Sequence, residues 1–300
     1  MDKTIAIIGL GLIGGSMAMA LRGFEDFEIV GVDNSPATLE FAAAHNVADR
    51  LTDDAGAAIA DADVVYLCLH PGAIVDFLNT HRRDFKPGSL VTDVCGIKTA
   101  IVDAAAVLPD KVDFIGGHPM AGKETSGIFH ADGTLFRGAH YILTPQPGHR
   151  PEHLDLLRRI AAYIGCRDVV ETTTQKHDAI IAYTSQVMHI MAVAVCDDPD
   201  LFECRGFEGG SFRDCTRVAA LDVPLWTELF SMNASALTKV IRNLEDNLRA
   251  YRQVLERGDT AALTQKLAWS ADRKRHMDLE CPPFSPSFRR RIDFPMGKML

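Results

Sequence analysis

The sequence predicts an α/β protein: a Rossmann-type, doubly wound parallel sheet followed by an all-helical domain. Three observations predict it. Residues 5–16 run from an apolar strand through closely spaced glycines into a helix rich in Ala and Met. Apolar strands and helical stretches then alternate as far as Glu171, the pattern of parallel strands joined by right-handed crossovers. Beyond Glu171 the alternation stops and segments with helical periodicity take over. The expected boundary lies at residues 172–174, giving a sheet domain over 1–172, a helical domain over 173–280 and an extended arm over 281–300 that holds four prolines and Arg289-Arg290-Arg291.

In the opening stretch, Ile-Ala-Ile-Ile-Gly-Leu-Gly-Leu-Ile-Gly-Gly-Ser, each glycine has its own task. Gly9 permits the tight turn, Gly11 lets backbone approach a pyrophosphate, and Gly14 lets helix and strand pack closely. The helix then presents the free N–H groups of its first turn, at Leu12 and Ile13, and its positive dipole end. A second strand over 28–33 ends on Asp33, where an acidic residue meets the ribose hydroxyls of a dinucleotide. Asp33 repels a 2′-phosphate, and Asn34 stands where an arginine would accommodate one, so the expected cofactor is NAD.

Further along, helices are expected over 36–44, 74–84, 98–107 and 152–164, and strands over 47–51, 61–69, 89–93, 113–117, 139–144 and 166–171. Residues 175–196 form a mostly apolar helix without proline or glycine. Pro224 opens one long segment to Arg257 in which Leu225, Leu229, Met232, Ala236, Val240, Leu244, Leu248, Tyr251 and Leu255 make an apolar stripe, and a second helix over 260–277 covers part of it. Such a stripe suits a homodimer built on helix packing, or cover supplied within the chain; both remain open.

The 300 residues are 47% hydrophobic and 24% charged, an ordinary globular composition, and the net charge of −9 argues against nucleic-acid binding. The N-terminus opens straight into the first strand, and no apolar run is expected to reach membrane-spanning length, so a cytoplasmic protein without a membrane partner is expected. Seven scattered cysteines, none in a C-x-x-C pair, fit reduced thiols. The histidines are dispersed and no H-E-x-x-H occurs, so no metal is expected.

Ligands on an open parallel sheet sit at the carboxyl ends of its strands, which directs attention to residues 70–72, 92–98 and 116–124. His70 opens the first loop and joins the expected cofactor contacts. His118 follows a strand directly, with Glu124 one turn of loop later; a histidine held there can take a proton from a hydroxyl while hydride leaves the same carbon, or it can merely cap the strand. Arg217, which follows Gly209-Gly210 in Ser-Phe-Arg-Asp-Cys-Thr-Arg, reads as a bidentate clamp for a substrate carboxylate or as an ion pair. His177 and His189 lie twelve positions apart on one helix, slightly over three turns, and can share a face.

Together, Gly9 to Ser16, Thr92-Asp93 with Lys98, His118-Pro119-Met120-Ala121-Gly122-Lys123-Glu124, the helix from His177-Asp178 through Ser185 to His189, and Arg213-Asp214-Cys215-Thr216-Arg217 resemble the prephenate dehydrogenase family. The resemblance implies an NAD-dependent oxidative decarboxylation of prephenate to 4-hydroxyphenylpyruvate in tyrosine biosynthesis. It implies that His118 accepts the ring hydroxyl's proton, that Arg217 holds the ring carboxylate, and that Glu124, Asp178 and Asp214, with His177, form the ionic network around that arginine. His189 resembles a contact to the substrate side chain. Three departures bear on the site: the family often has a serine where this chain has Gly96, leaving a water or Thr92 to support His118; a histidine common in the helical motif is Gln186, which still donates to a carboxylate or keto oxygen; and a proline of that motif is Met188. Arogenate dehydrogenase is the near alternative. A 3-hydroxyacid dehydrogenase or imine reductase of similar build gives no reason for the His118 loop, and an NAD-binding regulator without turnover is the non-enzyme reading.

Overall fold

The computed structural model describes residues 3–280. Its strands are β1 (Lys3–Ile8), β2 (Phe27–Val32), β3 (Arg50–Thr52), β4 (Val64–Leu67), β5 (Leu90–Asp93), β6 (Asp113–Pro119), β7 (His140–Pro145) and β8 (Asp168–Glu171). They form one sheet in the order β3-β2-β1-β4-β5-β6-β7-β8. Successive side chains on a strand face opposite ways, and here both faces are covered. Ile5, Ile7, Val64 and Tyr66 pack with α1 (Leu12–Leu21), α2 (Pro36–Ala44) and α6 (Pro151–Tyr163). Ala6, Ile8, Val65 and Leu67 pack with α3 (Ala55–Asp61), α4 (Pro71–His81) and α5 (Thr99–Ala105). Helix starts follow local chemistry: Ser35 caps α2 by accepting from Thr38 N with Pro36 at the first helical position, and Asp54 caps α3 by accepting from Ala57 N.

Two details differ from the sequence reading. The short strand expected over 47–51 is Arg50–Thr52, and α3 lies where no helix was expected. More consequentially, the sheet is not wholly parallel: β7 runs antiparallel to β6, with His118 opposite Ile142. A parallel neighbour requires a helical crossover. Between β6 and β7 the chain has only the single 3₁₀ turn Ile128–His130, whereas β7 and β8, joined through α6, are parallel.

The strand order reverses between β1 and β4, which pair in parallel, so their carboxyl ends diverge into a crevice. The helices that follow the sheet are α7 (Thr174–Ile181), a π-helical turn (Ala182–Gln186), α8 (Val187–Cys196), α9 (Gly210–Thr216), α10 (Val223–Met232), α11 (Ala234–Glu256) and α12 (Thr260–Glu280). The continuous stretch Thr174–Cys196 is, contrary to expectation, long and apolar enough to cross a membrane by length and hydropathy. Its polar residues are committed to the fold, however: His177, Asp178 and Gln186 are buried and hydrogen-bonded within the protein.

The long segment expected from Pro224 to Arg257 is also two helices. Asn233 caps α10, and its buried amide donates to the Asp178 carbonyl (3.0 Å) and to Gln186 Oε1 (2.8 Å), bonds that a continuing helix would not need. The chain divides into two compact units, up to Ile241 and from Arg242. In the second, α11 turns at Gly258 (φ +62°) into α12, whose start is capped by Asp259, and Tyr251 Oη meets Ser270 Oγ at 3.1 Å. The arm over 281–300 lies outside the described residues.

Replacing Asn233 with alanine leaves the buried Gln186 Oε1 without its donor and removes a second bond from the Asp178 carbonyl, which keeps the one from Ala182 N, and thermal or urea unfolding should register a loss of about 1–3 kcal/mol. Unchanged stability would mean that the break has another cause.

Candidate active site

A cleft of about 670 Å³ opens at the carboxyl ends of β1, β4, β5 and β6, facing α8 and α10. Its floor is the glycine turn. Gly9 has φ +89°, and a Cβ there would lie 2.7 Å from the Cys68 carbonyl oxygen; a Cβ on Gly14 would lie 1.8 Å from the Gly9 oxygen. Both positions require glycine for the turn and for helix–strand approach. A Cβ on Gly11 would meet nothing within 4 Å, because that position borders the cleft. Gly11 caps α1 without a side-chain bond, and Leu12 and Ile13 line the cleft. Asp33, at the end of β2, accepts from Leu10 N (2.8 Å) and Ser35 N (2.9 Å), tying the turn to the next strand. His70 caps α4 across the crevice, and the neighbouring Gly72 N–H donates to Glu228 of α10 at 2.7 Å. Bare backbone at Gly11, an open helix start and a carboxylate at the tip of β2 fit the pyrophosphate and ribose of a dinucleotide.

His118 enters the cleft from the end of β6. Its Nδ1 lies 2.9 Å from His177 Nε2, and His177 Nδ1 lies 2.8 Å from Asp178 Oδ1. The carboxylate is held further by the backbone N–H groups of Lys98, to Oδ1, and Thr99, to Oδ2, each at 2.8 Å. Burial alone would raise the Asp178 carboxyl, but the bonds from His177, Thr99 and Lys98 outweigh it and hold the pKa below the ordinary range. Burial, then the neighbouring His177 and the Lys98 charge, push the His118 imidazole well below the ordinary histidine value. Beneath this chain, the fully buried Lys98 ammonium pairs with Asp93 and donates to the Gly117 carbonyl at 2.7 Å, while Asp93 accepts from Cys95 N and Gly117 N.

Thus Asp178 and His177, expected around Arg217, bond towards His118 instead, because the first turn of α7 docks on the start of α5. Arg217 sits on the exposed rim in an ion pair with Glu124, which lines the cleft; Asp214 takes no part in that pair. Thr92 is fully buried with its hydroxyl near Gly117, so it neither lines the cleft nor supports His118. Gly96 does line it: a Cβ there would be 3.9 Å from His118 Nε2. Gln186 borders the cleft and is buried, donating to the Leu229 carbonyl (3.2 Å) and accepting from Asn233, so the fold engages its oxygen and one of its two N–H groups.

His189 lines the cleft, stacked on Trp226 with ring centroids 3.6 Å apart. The π turn explains why it shares a side with His177. A π turn inserts about one residue into the α-helical count, so a separation of twelve behaves as about eleven, close to three full turns. Sequence reasoning missed the π turn, Asn233, Trp226 and Glu228; only Trp226 left a signal, as an aromatic beside the apolar stripe.

The fold and its cleft define a dinucleotide-dependent oxidoreductase. Family models described as "Prephenate dehydrogenase, nucleotide-binding domain" and "Prephenate dehydrogenase, dimerization domain" match residues 17–170 and 173–269. The chain belongs to the prephenate dehydrogenase family. It is 32% identical over 270 residues to a prephenate dehydrogenase of Lactococcus lactis subsp. cremoris, covering 87% of this chain and 73% of that protein. Prephenate dehydrogenase from A. aeolicus, solved with hydroxyphenyl propionate and NAD+, superposes with a TM-score of 0.83 at 27% identity, covering 93% and 99% of the two chains. Synechocystis arogenate dehydrogenase gives 0.78 at 30%, covering 91% and 99%.

Since Gly11 faces open space, Gly11→Ala should cost less than about 1 kcal/mol of stability, yet weaken NAD binding about tenfold or more by calorimetry. Unaltered affinity would place the dinucleotide elsewhere.

Proposed function

We propose that this protein oxidises prephenate with NAD, giving 4-hydroxyphenylpyruvate and carbon dioxide, with His118 as the proton acceptor. The observation that carries this is a histidine kept neutral at the end of β6, in the same cleft as the glycine turn. Gly11 and the first N–H groups of α1 would hold the pyrophosphate on the turn that Gly9 and Gly14 shape, Asp33 the ribose hydroxyls, and His70 the opposite wall. NAD, when bound, takes hydride from the ring carbon that bears the hydroxyl.

The residues of the chain handle protons and placement. His118 takes the hydroxyl proton as that carbon–hydrogen bond breaks, leaving a ring carbonyl. The bond to the ring carboxylate then breaks, its electron pair flows through the ring onto the oxygen, and the oxygen recovers the proton from His118. Carbon dioxide leaves an aromatic ring behind. Arg217 binds and orients the ring carboxylate, with Glu124 presenting the guanidinium; an exposed pair of this kind contributes little to stability and gives way readily to a better anion. Clamping an anion that must leave does not itself speed its loss, so Arg217 serves binding.

Arogenate is a second reading, supported by the likeness to the Synechocystis enzyme. His189 Nδ1 lies 3.1 Å from the Ser185 carbonyl and burial lowers its pKa, so its other nitrogen faces outward as an acceptor, which suits an ammonium. We assign residues 1–172 to the nucleotide and 173–280 to substrate and dimerisation, a reading supported by the two matched family models. A homodimer is supported by exposed Ile180, Met188 and Val195 on the helix Thr174–Cys196. The net charge of −9 argues against a nucleic-acid partner, and the free thiols of the six described cysteines suit a reducing cytoplasm.

NADH formation at 340 nm should follow addition of prephenate with NAD; parallel arms with arogenate and NADP define preference, and no turnover with either substrate would overturn the reading. His118→Asn should lower kcat by about two to four decades, and near-normal turnover would move the chemistry elsewhere. Arg217→Gln should chiefly raise KM, whereas an unchanged KM returns it to a surface ion pair. A base needs its unprotonated form, and the His118 pKa is depressed, so the acid limb of kcat/KM should fall below about pH 6.5. A limb above that value would contradict the assignment.

A further inference from the structure

A base is useful only if its lone pair faces the proton, and an imidazole has two nitrogens of which only one is bare when neutral. The surroundings of His118 determine which. Both oxygens of Asp178 receive backbone N–H groups, from Lys98 and Thr99, and a backbone N–H cannot reverse its direction. The carboxyl is therefore ionised and accepts throughout, so the nitrogen of His177 at 2.8 Å, Nδ1, carries the hydrogen. Burial keeps His177 neutral, its Nε2 is then bare, and the His118 Nδ1 at 2.9 Å must donate to it. That leaves the His118 lone pair on Nε2, on the Gly96 side where the cleft opens.

We infer that Asp178, acting through His177, sets the tautomer of His118 and so places its basic lone pair at Nε2, facing the substrate. His177 and Asp178 are positioning residues. The charged groups around the two rings are Asp178, Lys98 and Asp93; the last two pair with each other, so Asp178 is the carboxylate that directs the hydrogens. Once His118 takes a proton at Nε2, its Nδ1–H bond to His177 persists, and the Asp178 charge favours the cation. Gly96 adds no side chain on the Nε2 side, so orientation of the ring depends on this link.

The inference deepens the proposed role of His118 and rests on it for its catalytic meaning, but its primary readout is independent of turnover. In ¹⁵N-labelled protein, long-range nitrogen–proton correlations should show His118 with hydrogen on Nδ1 and a bare Nε2. In Asp178→Asn, the amide can present N–H to His177, reversing both rings; the His118 hydrogen should move to Nε2 and kcat fall by about 10²- to 10⁴-fold with KM for NAD little changed. Because this variant also loosens the clasp on Lys98 and Thr99, His177→Phe and His177→Gln provide a second arm with Asp178 intact. Phe removes the acceptor for His118 Nδ1 and should shift the tautomer and lower kcat, whereas Gln keeps an acceptor and should restore the Nδ1–H form and at least about tenfold of the lost rate. A wild-type His118 with hydrogen on Nε2, or one whose tautomer is the same in Asp178→Asn and His177→Phe, overturns the inference. A wild-type protein with the expected tautomer but no turnover of prephenate or arogenate would instead refute the proposed function and leave the relay standing.

Discussion

The Asp178 carboxylate grips the backbone of Lys98 and Thr99, eighty residues earlier in the chain, and the rest of the site depends on that grip. It docks the first turn of α7 on the start of α5. Because His177 precedes it on the same turn, the docking also delivers an imidazole to the end of β6, within hydrogen-bond reach of His118. Asn233 fastens the arrangement from the other side through the Asp178 carbonyl and Gln186, and the π turn between them rotates His189 back towards the cleft.

Beneath the histidines, the buried Lys98–Asp93 pair is a poor source of net stability, since desolvation of two charges offsets much of their attraction. Its bonds go to backbone at the tip of β5 and near the end of β6: Asp93 holds Cys95 N and Gly117 N, and Lys98 holds the Gly117 carbonyl. Those bonds order the strand that carries His118, and the Lys98 charge, after burial and His177, helps to keep that histidine neutral. Order and electrostatics thus come from one pair.

Much of the sheet was legible in the sequence because continuous apolar runs, such as Val64 to Leu67, have few other uses in a chain that alternates with helices. His118 was legible because it directly follows one of those runs. Direction and register were not: β7 reads as a strand either way, and only the lack of a helical crossover before it makes it antiparallel. The His118–His177 contact, 59 residues apart, leaves no local trace, and neither does the one-residue insertion of the π turn. Gln186 hides partners of the same kind: an amide at a position associated with ligand contact also bonds to Asn233 and the Leu229 carbonyl, 47 and 43 residues away.

Catalysis in this account depends on one atom, His118 Nε2, facing a ring hydroxyl beside the nicotinamide. The most direct test is a crystal structure of this protein with NAD and a 4-hydroxyphenyl product analogue. The phenolic oxygen should lie about 2.6–3.2 Å from His118 Nε2. A phenolic oxygen bonded to another group, with His118 facing away, would contradict the account.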